Sequence, residues 1–347
     1  MNIAYIIPSL KPMGPINVVY DLVRLMLDHG HECDVYYFDD FEIDNYFPCP
    51  ANRISLSTKI DFNHYDIVHS HGLRPNIYVF RHKPFNCKGT RFITTFHNYV
   101  FQDFCMKYGK LKGTIGGILF LLTAKRHDKI IALSKDAQRY YQKWFNKNKV
   151  TFIYNTRIID ANATLTEDEK KELMDFKGNG TLIGMNGSII FLKGIDIILK
   201  AMVHLPERFK LFLVGDGCHM EKLKSLSDEL NLGGRVYFAG KKVDAYRYPR
   251  YYDIYVLPSR SEGFPLALLE AACQGSRIVC SNLPILQEAF DETEVIMFPL
   301  PDDKALAECI IKAETAKDIQ SQVQKKFNQN YSPEHFYKNH IKLYSEK

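Results

Sequence analysis

The sequence predicts an α/β chain of two consecutive doubly wound domains, and three observations carry that prediction. Short β-rich apolar runs alternate with amphipathic, charge-faced segments, the pattern of βαβ units and a mostly parallel sheet. The series ends near Asn155–Ala163, where an apolar run passes into a polar stretch, and then restarts. The length of 347 residues suits two buried cores at roughly 150 residues each.

The first series reads as a strand at Ile3–Ile7, a helix at Val18–Asp28, strands at Asp34–Phe38, Asp66–Ser70, Phe92–Thr95 and Lys129–Leu133, a helix at Asp136–Phe145 and a strand at Thr151–Tyr154. After the charged stretch Glu167–Lys177, the second series places strands at Leu182–Met185, Lys210–Val214, Val236–Phe238, Ile254–Leu257 and Ile278–Cys280. Helical segments at Ile195–Met202, His219–Leu230 and Leu266–Ala272 separate them, and a long polar helical region follows Asp303. Ser332, a cap-type residue before Pro333, opens a last helix. The boundaries are 1–158 and 159–331, with 332–347 as the closing helix. In such sheets ligands are expected outside the carboxyl ends of the strands.

Composition narrows the function classes. Apolar residues at 46%, charged at 24% and aromatic at 13% exclude disorder, collagen and coiled coil as the main architecture. A net charge of +5 gives no basis for nucleic-acid binding. The 8 cysteines, Cys87 among them, lack a CxxC pair, so neither a zinc site nor a disulfide framework is signalled, which fits a reducing cytoplasm. The opening MNIAYIIPSL has no basic n-region and reads as a strand rather than a secretory signal. The longest apolar run, Ile115–Leu122, is far short of a membrane span.

The most informative segment runs from Tyr255 to Ala272. A strand ends at Leu257, a polar loop carries Glu262 and Gly263, and Pro265 is expected in the first turn of the next helix. The free N–H groups there, from about Leu266 to Leu268, and the positive dipole end suit a diphosphate. Glu270 lies about 7 Å further along the helix, placed to accept hydroxyl hydrogen bonds from a ribose. Taken alone, the pair also reads as a helix cap with a solvent-facing glutamate. A second motif, Gly187-Ser188 through Lys193-Gly194, places a glycine turn and an ammonium where a phosphate would sit, or forms a surface loop with a capping lysine.

These stretches resemble the hallmark of the retaining GT-B glycosyltransferases of family GT4. The likeness rests on Pro258, Ser259, Glu262, Gly263, Phe264, Pro265, Glu270 and Ala271, and it covers almost the whole chain in order. It implies a GT-B fold, two Rossmann-like domains facing a central cleft, with the acceptor on the first, the nucleotide sugar on the second, and helix 332–347 returning to the first. By that likeness Glu262 contacts the donor sugar, the backbone of Gly263, Phe264, Leu266 and Ala267 holds its diphosphate, and Glu270 holds the ribose. Lys193 grips the phosphates beside Gly187, while Ser188 replaces the family's arginine. Gly215, in Leu213-Val-Gly-Asp-Gly217, lines the nucleotide, and the Lys242-Val243 segment holds the base. Gly14 belongs to a loop near the donor phosphate in which Pro15 replaces a second glycine. His97, in Thr94-Thr-Phe-His, approaches the donor sugar. His69 and His71 are weaker candidates, one of them expected to bond backbone, and Glu288 is a further weak one. Lys193, Glu262 and His97 are thus the expected catalytic set.

The resemblance implies transfer of a hexose from a UDP- or GDP-sugar to a hydroxyl of a glycan or lipid-linked glycan in surface polysaccharide assembly, with retention. No Asp-x-Asp motif occurs, so no metal and no other cofactor are expected. Residues 106–129 carry Lys107, Lys110, Lys112, Lys125, Arg126 and Lys129 around an apolar middle, which suits an anionic membrane surface or a buried helix with solvated ends. A cytoplasmic chain, resting on the inner face of the membrane, is the matching location. The alternatives are a weakly active or non-catalytic partner subunit, raised by Ser188 and Pro15, and a nucleotide-sugar epimerase or phosphorylase.

Overall fold

The structure is a computed structural model that describes all residues except 41–46, 86–88, 161, 317 and 347; Cys87 therefore lies outside the described residues. The chain forms two compact units, Met1–Ile158 with Ser332–Lys347, and Ile159–Tyr331.

The first unit holds strands β1 (Asn2–Ser9), β2 (Glu32–Asp39), β3 (Ala51–Arg53), β4 (Ile67–His71), β5 (Arg91–Phe96), β6 (Lys129–Ala132) and β7 (Val150–Phe152). They pair in parallel in the order β3-β2-β1-β4-β5-β6-β7. The order reverses between β1 and β4, so the loops leaving those two strands diverge and open a crevice there. Nearly continuous apolar strands, Ile3 to Ile7 for example, are fully buried because helices cover both faces of a parallel sheet.

The second unit holds β8 (Thr181–Asn186), β9 (Phe209–Val214), β10 (Val236–Gly240), β11 (Ile254–Leu257), β12 (Ile278–Ser281) and β13 (Ile296–Phe298). The order is β10-β9-β8-β11-β12-β13, again parallel, with the reversal between β8 and β11. Both units are Rossmann-like. The helix Glu167–Lys177 opens with a capping box, in which Thr166 and Glu169 satisfy each other's backbone N–H.

Three boundaries differ from the sequence reading. The first helix spans Gly14–Asp28, so Gly14 and Pro15 form its first turn instead of a loop, where a proline's missing N–H costs nothing. The helix after Ser134 stops at Tyr141. The polar region after Asp303 is broken into Asp303–Thr315, Asp318–Lys326 and a π-turn at Phe327–Tyr331.

Within the first unit the closing helix Pro333–Ser345, capped by Ser332, packs beside the helix Gly14–Asp28. Tyr337 stacks on His29 with ring centroids 3.6 Å apart, and the Arg91 guanidinium donates to the Leu343 carbonyl at 2.7 Å.

Candidate functional site

In the second unit the candidate residues gather where β8 and β11 lie side by side. β8 passes into Gly187 and a turn ending at Phe191–Lys193, and Gly194 at φ +65° caps the helix Ile195–His204. A β-carbon on Gly194 would lie 2.0 Å from the Pro258 carbonyl oxygen, so only glycine lets the two loops meet.

That approach brings Lys193 to Glu262. Lys193 Nζ donates to Glu262 Oε1 at 2.6 Å, and Ser259 Oγ donates to the same oxygen at 2.6 Å. Ser281 Oγ in turn donates to the Ser259 carbonyl at 2.7 Å. The Glu262 side chain is 7% exposed and that of Lys193 23%, so the pair sits in a partly desolvated pocket. The sequence reading left the amine free for an anion. It is instead held by the glutamate, because removing a carboxylate from water requires a partner.

Backbone contacts seal the same region. Gly187 donates its N–H to Val214 at 2.9 Å, and Gly215 to Gly240 at 2.8 Å. A β-carbon on Gly215 would lie 1.8 Å from the Gly187 carbonyl oxygen, and one on Gly217 2.3 Å from that of Ile189. Gly187 and Gly215 are thus brought together, with Ser188 exposed at the edge.

After β11 the helix spans Leu266–Cys273 with Pro265 as its N-cap, one residue earlier than expected. The Leu268 N–H is taken by the Pro265 carbonyl at 3.1 Å, which leaves Leu266 and Ala267 without an intrahelical acceptor. Phe264 turns its ring inward against Tyr331, with centroids 5.5 Å apart, so only its backbone faces the loop. Burial first, then the Glu270 carboxylate, pushes the Tyr255 hydroxyl above its usual range, with Glu262 adding to it. Both carboxylates therefore act on Tyr255, which donates to the Asn186 carbonyl at 3.3 Å.

Lys242, in the segment whose backbone is expected to hold the base, has its side chain paired. Its Nζ donates to Glu172 at 2.7 Å, as does the Tyr237 hydroxyl. Burial opposes ionisation of Glu172, but those two bonds outweigh it and hold the carboxyl below its ordinary value. Val243 is 77% exposed beside it. Glu288 lies on the short helix Pro284–Ala289, half-buried.

The sequence reading missed Arg260. Its guanidinium grips Asp196 through two bonds of 2.7 Å, donates to the Phe191 carbonyl at 2.9 Å and lies 4.2 Å from the centre of the Phe191 ring. Its own N–H bonds the Leu192 carbonyl at 2.7 Å, so the turn that carries Lys193 is fastened at Phe191, Leu192 and Asp196. An Arg after Pro-Ser in the loop is the available signal, but its partners are remote in the chain.

In the first unit, His71 ends β4 and His97 follows β5. Their Nδ1 and Nε2 atoms lie 3.0 Å apart. Burial holds His97 down at about 4 and lowers His71 well below the usual imidazole value. His69 is fully buried between the Tyr344 hydroxyl, at 2.7 Å from Nδ1, and the Thr95 hydroxyl, at 2.8 Å from Nε2. Neither His69 nor His71 bonds backbone among the described residues, contrary to expectation, because strand pairing and the closing helix surround them with side chains. Gly14 is exposed at the start of its helix.

Residues 106–129 form the end of the helix Val100–Tyr108 and the helix Lys110–Ala124. Gly113, Gly117, Phe120, Leu121 and Ala124 face inward, and β-carbons on Gly113 and Gly117 would strike Cys105 and Phe101. The opposite face leaves Leu111 at 77%, Ile115 at 59% and Leu122 at 45% exposed, with Ile118 and Leu119 between them. Neither of the expected alternatives fits whole: one face is packed and the other is an apolar stripe between basic ends. Among the described residues no helix is long and apolar enough to cross a membrane, and no group of three or more His, Cys, Asp or Glu side chains could hold a metal ion.

Comparison with known proteins identifies the family. Residues 14–157 match the model of Glycosyltransferase Family 4, and residues 166–331 that of Glycosyl transferases group 1. The O-antigen biosynthesis glycosyltransferase WclY of Escherichia coli is 32% identical over 90% of this chain and 89% of its own. The UDP-Gal:alpha-D-GlcNAc-diphosphoundecaprenol alpha-1,3-galactosyltransferase of E. coli is 27% identical over 66% of this chain and 61% of its own. Anabaena HepE in complex with UDP-glucose shares the fold at a TM-score of 0.84 and 17% identity, with 99% of each chain covered. The chain belongs to glycosyltransferase family 4 and has the GT-B fold.

Proposed function

We propose that this glycosyltransferase moves a hexose from a UDP- or GDP-sugar to a hydroxyl of a lipid-linked glycan, with retention and without a metal, in O-antigen-type polysaccharide assembly. The observation that carries the reading is the meeting of Lys193 and Glu262 at the carboxyl ends of β8 and β11, beside the open N–H groups of Leu266 and Ala267. UDP-glucose in the HepE complex and the donor and acceptor in the galactosyltransferase's name support the substrate classes.

In the proposed reaction the bond from the sugar's anomeric carbon to the diphosphate breaks, and a bond to the acceptor oxygen forms on the same face. The acceptor proton passes to the departing diphosphate oxygen. Negative charge grows on that oxygen, and fixed cationic groups are worth most where charge develops. Lys193 exchanges Glu262 for phosphate as the donor binds, and Glu262, held by Ser259, turns its freed capacity to the sugar hydroxyls. Glu270 takes the ribose, and His97 is the imidazole that the family likeness assigns to the donor sugar. The lack of an Asp-x-Asp pair supports charge stabilisation by the protein alone.

The acceptor is met at an anionic bilayer. Between Phe104 and His127 there are five basic residues and no acidic one, and they bracket the apolar stripe from Leu111 to Leu122, the arrangement of an interfacial helix. Vesicles of neutral and acidic phospholipid should pellet the protein at low salt, neutral vesicles should not, and Leu111→Gln with Ile115→Gln should abolish pelleting.

The test of the whole reading is a donor screen by nucleotide release with and without acceptor, in EDTA, with the product anomer assigned by NMR. Lys193→Ala and Glu262→Ala should lose transfer while remaining folded. Ser188, which supplies no charge at the phosphates, favours a second reading, a partner subunit without turnover; calorimetry showing no binding of UDP or GDP would select it.

A further inference from the structure

We infer that His71 is a positioning residue that fixes the tautomer and ring orientation of His97, so that the Nδ1–H of His97 is the group turned towards substrate. The inference rests on the role proposed for His97.

The two rings sit at the ends of neighbouring parallel strands, where His71 pairs in register with Thr95 and His97 lies just past β5. Their facing nitrogens, His71 Nδ1 and His97 Nε2, are 3.0 Å apart, and the ring centroids 5.3 Å. Two imidazole nitrogens at that distance share one proton, since two lone pairs or two N–H groups would repel. Burial keeps both rings neutral, so each carries a single proton and the choice at the shared contact sets both tautomers.

His71 itself decides the choice. It is 2% exposed, and its Nε2 has no hydrogen-bond partner among the described residues. Were His97 Nε2 the donor, His71 would have to carry its only proton on Nε2, a buried N–H with no acceptor. With His71 Nδ1 donating, the orphan is a bare lone pair, and buried unpaired N–H groups are the rarer defect. His97 then accepts at Nε2 and keeps its proton on Nδ1.

The His71 ring is held in place from behind. His69 lies 4.2 Å away centroid to centroid and is pinned at both nitrogens by Tyr344 and Thr95, and the Tyr5 ring lies 6.4 Å away. His340 and Tyr344 of the closing helix complete the wall around His69. Such packing fixes the orientation of the His71 ring, and the hydrogen bond at the shared contact then fixes the His97 tautomer.

The experiment is ring-nitrogen NMR of the full chain labelled with ¹⁵N-histidine, with transfer kinetics alongside. In the wild type His97 should give the signals of an Nδ1–H tautomer. His71→Leu should give mixed or Nε2–H signals and lower kcat at least tenfold with the donor KM unchanged. His71→Asn, whose amide nitrogen stands where Nδ1 stood, should restore the single tautomer and most of the rate. An Nε2–H tautomer of His97 in the wild type, or an unchanged one in His71→Leu, would overturn the inference, and the wild-type measurement holds even should a variant fail to fold. The expected signals in a chain that transfers no sugar would uphold the positioning and sink only the role proposed for His97.

Discussion

Lys193 Nζ lies 2.6 Å from Glu262 Oε1, so the amine best placed for an anion is already satisfied by a carboxylate. The two residues come from different loops, and among the described residues each is the other's only ion-pair partner, with Ser259 adding a bond to Glu262. Their substitutions should therefore differ in stability while agreeing in activity. Lys193→Met leaves a poorly solvated carboxylate and should cost about 1–3 kcal/mol. Glu262→Gln retains the Ser259 bond and should cost less. Both should lower transfer by about 100-fold or more. Urea denaturation and nucleotide release measure the two effects; equal destabilisation would count against the pairing.

The glycines at the ends of β8 and β9 are separable. Gly215→Ala drives a β-carbon to 1.8 Å from the Gly187 carbonyl oxygen, whereas one at Gly187 meets nothing within 4 Å. Gly215→Ala should therefore lower the melting temperature of the second unit far more than Gly187→Ala, whose penalty is confined to its positive φ. Calorimetric melting of the two variants gives the order directly.

Arg260→Lys keeps a charge but loses the planar fork that grips Asp196 and Phe191 together. The Lys193 turn loosens as a result. Donor affinity should fall about tenfold while the fold persists, as read by calorimetry with UDP and GDP; unchanged affinity would show that the turn needs no such fastening.

The buried histidines make the first unit acid-sensitive. Burial lowers His97 and His340 to about 4 and His127 to about 3. The unfolded chain takes up these protons below about 6.5 and the folded unit does not, so stability is intact above that pH and is lost as pH falls toward 4. Each such histidine contributes a slope of about 1.4 kcal/mol per pH unit within that window. Denaturation midpoints between pH 7 and 4.5 should fall accordingly, and His340→Phe should flatten the slope by one proton.

What the sequence disclosed was local. Apolar alternation placed most of the strands within a residue or two, because a parallel sheet covered on both faces leaves long buried runs such as Ile3–Ile7 and Leu211–Val214; the three-residue edge strands β3 and β13 were too short to read. Lys193 and Glu262 were legible from their glycine and proline settings. Their mutual bond was not, since it depends on β8 lying next to β11, an order that spacing does not encode. Arg260 with Asp196, and His71 with His97, were hidden for the same reason. The Lys242 pairing was likewise hidden, because its partner, Glu172, stands on a helix that precedes the whole second sheet.

The closing helix has a bearing on biosynthesis. Its Tyr344 hydroxyl completes the bonding of His69, and Leu343 takes the Arg91 guanidinium, yet residues 159–331 lie between these partners in the chain. A ribosome therefore releases the second sheet as an uninterrupted stretch before it delivers the last wall of the first. Until that moment the nascent amino-terminal half holds the His69 imidazole without its Tyr344 partner, and that interval is where a chaperone would act.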